Sequence, residues 1–107
     1  LTKQHYAQAT DEVYKGLWGR TAAYLKDEIA LPPRASLRDH QPALALSYQT
    51  LAEEVAAQKL GDQAELSWAE ARLIVREVSL LIGEQAATTA RFLGMDIATG
   101  KRLLPAG

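Results

Sequence analysis

The stretch Ser67–Leu93, SWAEARLIVREVSLLIGEQAATTARFL, decides the fold. It opens with Ser67, Trp68, Ala69 and Glu70, a capping box in which the serine hydroxyl can accept from a backbone amide three residues on while the glutamate reaches back. Behind the cap, Ala71, Val75, Val78 and Ile82 recur at alternating four- and three-residue steps, and Leu73, Ile74 and Leu81 widen the stripe. A wide apolar arc needs neighbours on more than one side, so the spacing predicts a central helix over 67–93 lying among two others. Gly83 is its one interruption, and the helix either runs through it or restarts at Glu84. Gly94 supplies the stop, leaving a tail over 95–107 with room for a short fourth helix.

Upstream, Tyr6, Val13, Leu17 and Tyr24, with Tyr14, Trp18, Leu25 and Ile29 beside them, repeat at helical spacing and predict a first helix over about 2–30. Gly16 and Gly19 weaken it unless another helix comes close there. Leu31, Pro32 and Pro33 end it, because proline lacks the amide and steers its predecessor away from helical dihedrals. A second helix is expected over about 40–60, with Pro42 tolerated in its first turn and Gly61 as its end. Its inner face is expected to be Leu44, Tyr48, Leu51 and Val55, with Ala45, Ala52 and Ala56 alongside. The short joint from Gly61 to Leu66 then makes the second and third helices antiparallel neighbours. The expectation is an all-α antiparallel bundle of three long helices forming a single domain over 1–107.

Composition narrows the function classes. With 12 basic against 13 acidic residues and 48% hydrophobic content, the chain is globular and its net charge offers no broad attraction to polyphosphate or anionic membrane. There is no cysteine, which removes disulfides, thiol catalysis and thiolate metal sites. No apolar run approaches the roughly 18 residues of a membrane span, so a soluble cytoplasmic protein is the default expectation. His5 and His40 stand in separate segments and read as surface residues, and neither zinc-ligand spacing nor a phosphate-cradling glycine loop occurs. The doublets Asp11–Glu12, Asp27–Glu28 and Glu53–Glu54 fit solvated helix faces. No catalytic, cofactor or metal residue is assigned.

These readings lead to a non-enzymatic interaction module acting through protein contact, with either a protein partner or a second copy. Tyr14 and Trp18 on the aromatic first helix, and Arg34 and Arg38 in the locally basic connector, are the candidate partner contacts. A pocket near Tyr14, Trp18 and Trp68 would instead suit a small molecule. Residues 85–104 resemble the helix-turn-helix unit of DNA-binding regulators: Ala90 is small at the helix crossing, Gly94 follows at the turn, and Leu93, Met95 and Leu103 are apolar for packing. Gly100 departs from the branched apolar residue usual there, and Pro105 would cut the second helix short. The resemblance implies a recognition helix from about Asp96, with Thr99, Lys101 and Arg102 contacting DNA.

Overall fold

The computed structural model describes residues 3–61 and 65–103, with side chains from residue 8 onward. The side chains of His5 and Tyr6, the middle of the joint at 62–64, and residues 104–107 with Pro105 lie outside the described residues. The protein is all-α, built from α1 (Lys3–Trp18), α2 (Ala22–Glu28), α3 (Ala43–Gly61) and α4 (Trp68–Leu93), with a 3-10 turn at Arg38–His40. No helix among the described residues is long and apolar enough to cross a membrane.

Helix α4 begins and ends where its sequence says. The Ser67 hydroxyl accepts from the Glu70 amide at 3.2 Å and donates to the Glu70 carboxylate at 3.0 Å, and Gly94 closes the other end in a left-handed conformation. The helix runs unbroken through Gly83, because that glycine lies at a crossing. A Cβ on Gly83 would sit 2.3 Å from the carbonyl oxygen of Gly16, and one on Gly16 would sit 2.3 Å from the Cβ of Ser79. The backbones of α1 and α4 therefore touch at this point, and the closeness anticipated near Gly16 is a crossing with α4.

The first helix is two helices rather than one over 2–30. Gly19 takes φ 69°, its amide still bonds to the Lys15 carbonyl, and Thr21 caps a new helix by accepting from the Tyr24 amide. The apolar periodicity continues across the break because α2 turns to cover a second cluster, which holds Tyr14, Leu25, Leu37 and Ala98. The main cluster lies where α1, α3 and α4 meet, with Val13, Leu17, Ala52, Ala56, Val75, Val78 and Ile82. Trp18 packs against both clusters; its ring meets Tyr48 edge-on at 6.4 Å and its Nε1 donates to buried Gln49 at 3.2 Å.

Helix α3 turns inward differently from expectation. Ala45, Gln49, Ala52 and Ala56 form its buried line, whereas Leu44, Tyr48 and Val55 are half-buried and Leu51 is exposed. Small side chains let α3 approach closely, which places the larger ones along one flank. Glu12 also departs from its expected solvated face. It is buried, and its carboxylate accepts from Arg72 Nε at 2.8 Å and from Arg76 Nε at 3.0 Å, tying α1 to α4.

The tail is folded back rather than helical. Asp96 and Lys101 bond at 2.8 Å, Met95 and Arg102 form an isolated antiparallel bridge, Ala98 is buried with Leu25 of α2 and Leu37 of the connector, and Ile97 is buried near Leu17 and Ala86. The short fourth helix in the fold is α2, and none follows Gly94 among the described residues.

Replacing Gly83 by alanine forces the crossing apart. The gain in helix propensity is about 1 kcal/mol, and the overpacking cost against fixed backbone is about 1–3 kcal/mol or more, so G83A is expected to lower stability in urea denaturation. Glu12 yields a pH-dependent prediction. The Arg76 hydrogen bond, aided by Arg72 and opposed by burial, holds its carboxyl below the usual range. Its stabilisation is thus complete above about pH 4.3 and fades as the pH falls through the lowered folded value. Glu12→Gln should cost about 1–2 kcal/mol at neutral pH, discounted because both arginines are half exposed, and should flatten the acid limb of the stability curve.

Candidate functional site

The outward arc of α4 carries a surface that a closed bundle would hide. Leu73, Leu80 and Leu81 are 61%, 53% and 52% exposed, and Phe92 is 88% exposed. At about 100° per residue, Leu73 and Leu80 lie on one side of this arc and Leu81 and Phe92 on the other. Between them run Glu70, Glu77 and Glu84, seven residues apart and exposed, as an acidic line. The arc is open because the molecule is thin: its extents are 52 × 30 × 19 Å, and the shortest spans about two helices of roughly 10 Å diameter.

On its α3 side this arc joins a groove of about 540 Å³. Val55 of α3 and Ile74, Leu80 and Leu81 of α4 line it, and Lys59, Glu77 and Glu84 stand at its rim. Leu51 extends the apolar strip along α3. Sequence periodicity identified α4 as apolar over a wide arc, but the stripe alone does not say which part stays uncovered. The seven-residue spacing of Glu70, Glu77 and Glu84 is the signal that marks its solvent side.

The four candidate partner contacts do not converge. Tyr14 and Arg38 come together in a separate cleft between α1 and α3, where Arg38 pairs with Glu53. Burial pushes the Tyr14 hydroxyl up, opposed by the neighbouring Arg38 charge. Trp18 is half-buried and engaged with Gln49, and Arg34 lies in the exposed connector. Trp68 donates to Gln8 at 2.8 Å, six residues and so about 9 Å along α1 from Tyr14. The pocket expected among Tyr14, Trp18 and Trp68 is therefore not formed: Tyr14 lines the α1–α3 cleft without either tryptophan.

The C-terminal candidates stand on the folded-back loop. Asp96, expected at the start of a recognition helix, accepts from both terminal nitrogens of Arg20, at 2.7 and 3.0 Å. Thr99 donates to the same carboxylate at 2.7 Å, which spends its hydroxyl internally. Lys101 and Arg102 are exposed and lie outside any helix, Arg102 in the bridge with Met95. The Arg20 hydrogen bonds hold the Asp96 carboxyl below its usual range, with burial opposing them. No family description, no curated protein and no solved structure matches this chain.

The loop's attachment is testable. Asp96→Ala leaves Arg20 with Glu28 and the Trp18 carbonyl, takes away the acceptor of Thr99, and should destabilise the protein by about 1–3 kcal/mol. In hydrogen exchange the protection of Gly100 and Leu103 should fall further than that of mid-α4 amides.

Proposed function

We propose that this protein is a non-enzymatic helical interaction module that receives an amphipathic, basic helix of another protein along the groove between α3 and α4. The observation that carries the reading is the combination of exposed Leu80 and Leu81 with the acidic pair Glu77 and Glu84 on a stably capped helix. Helix-in-groove recognition uses apolar anchors at helical spacing, and rim charges select the partner and its register. Glu77 and Glu84 outnumber Lys59 at the rim, which favours lysine or arginine on the incoming helix.

The charge pattern also ranks the partners. A two-fold pairing of α4 with a second copy would bring two acidic lines toward each other, and opposed like charges cost up to several kcal/mol at an interface. Each half-exposed leucine gains only about 1–1.5 kcal/mol on burial, so the repulsion offsets much of what self-association would gain. A heterologous basic helix keeps the apolar gain without that penalty. The DNA-binding alternative has less support, because the segment after Gly94 is a loop strapped to Arg20 rather than a helix shaped for the major groove.

A designed leucine–lysine amphipathic peptide is expected to bind with a dissociation constant of about 10–100 μM and to shift the amides of Val55, Ile74 and Leu81. Raising the salt should weaken it, the double substitution Glu77→Lys with Glu84→Lys should weaken it about tenfold, and a leucine–glutamate peptide should not bind. Light scattering should find a monomer. A stable dimer dissociated by Leu81→Asp would replace this partner with a second copy, and equal binding of both peptides would remove the electrostatic part of the reading.

A further inference from the structure

Helices α1 and α3 both pack on α4, yet toward the connector they stand apart and enclose a cleft of about 250 Å³. Its walls are apolar: Val13 and Ala9 come from α1, Ala56 and Leu60 from α3, and Val75 from α4 forms the floor. Buried Tyr14, hydrogen-bonded to Arg38, also lines it, as does the Arg38–Glu53 ion pair, both of whose members are about half exposed. Alanines at positions that leave room, beside a phenol and an ion pair that leave polar atoms at one end, are the composition of a small-molecule site: apolar body, few orienting polar groups.

We propose that this cleft binds a small amphiphile, an apolar chain or ring with one neutral hydroxyl or carbonyl head placed beside the hydrogen-bonded Tyr14 and Arg38. The volume sets the size. A dry cavity of about 150 Å³ accepts benzene and drug-sized ligands need about 300 Å³ or more, so the occupant has about eight to ten carbons. The ion pair sets the head. Arg38 is already neutralised by Glu53, so a carboxylate entering here meets the glutamate's charge, whereas a neutral head can accept from Tyr14 or Arg38 without repulsion. The site lies on the other flank of α3 from the groove bordered by Glu77 and Glu84, and its existence does not depend on what that groove binds.

The test uses 1-octanol and octanoate as probes in amide-resolved NMR titrations of the full chain. Octanol should produce saturable shifts at Val13, Ala56, Ala57 and Val75 at submillimolar to low millimolar concentration. Octanoate should bind at least several-fold more weakly. Ala57→Trp, at an exposed position on the cleft wall, should abolish the shifts, with Ala9→Leu serving the same purpose from α1. Tyr14→Phe should weaken octanol by about 2- to 10-fold, the loss of one hydrogen bond, while preserving the fold. Absence of saturable shifts up to the solubility limit, or shifts unchanged in both filled variants, would overturn the site. Octanoate binding as tightly as octanol would overturn the neutral head.

Discussion

Everything in this fold hangs on the place where Gly16 and Gly83 bring two backbones into contact. Without side chains between them, α1 and α4 pack closely enough that Ser79 needs its hydroxyl turned back onto the Val75 carbonyl, at 2.7 Å, to be satisfied in a fully buried position. The crossing fixes the rotation of α4 about its axis. Val75, Val78, Ile82 and Ala86 then face inward, and Leu73, Leu80 and Leu81 are left more than half exposed. The exposed arc is thus a geometric consequence of the crossing and of having only three long helices.

The Glu12 clamp works with the same contact. A buried carboxylate is costly unless paired and hydrogen-bonded, and here two arginines a turn apart on α4 supply three donors. The clamp therefore fixes the register of α1 along α4, as the glycine pair fixes their separation. A slip of one turn would cost Glu12 one of its two arginines and would move Gly83 off Gly16.

Much of this was legible in the residues. The capping box, the four-and-three stripe and Gly94 delimit α4, because local hydrogen bonding and periodicity act within the segment itself. Other features were not legible, for a common reason: they depend on a partner distant in sequence. Gly16 and Gly19 look alike in the chain, but one sits against Ser79 and the other turns the backbone. Glu12 sits in an acidic doublet and reads as solvated until Arg72 and Arg76, sixty and sixty-four residues away, are placed on it. On α3 the inner face reads as Leu44, Tyr48, Leu51 and Val55 with Ala45, Ala52 and Ala56 alongside, because size correlates with burial; the close helix pair puts the alanines on the buried line and leaves the large residues half-buried or exposed. The segment after Gly94 has the small-residue and glycine spacing of a helix-turn-helix, but Arg20 captures Asp96 and the chain closes into a loop. Of the candidate partner contacts, Tyr14 and Arg38 border one cleft, which requires the splay of α1 from α3 that no single segment encodes.

The division of charge on α4 connects the architecture to the proposed contact. Its arginines at 72 and 76 lie toward α1 and are engaged with Glu12, whereas Glu70, Glu77 and Glu84 lie on the outward line. The helix is therefore close to neutral in composition but divided in cross-section: Arg72 and Arg76 serve the fold, while the three glutamates face outward, with the exposed Arg91 near the C-terminal end. Net charge near zero for the whole chain conceals this separation, which is why composition argued only against polyanions and was silent on polycations. A partner reaching the exposed leucines must cross that acidic line, which is the physical basis of the basic-helix partner we propose.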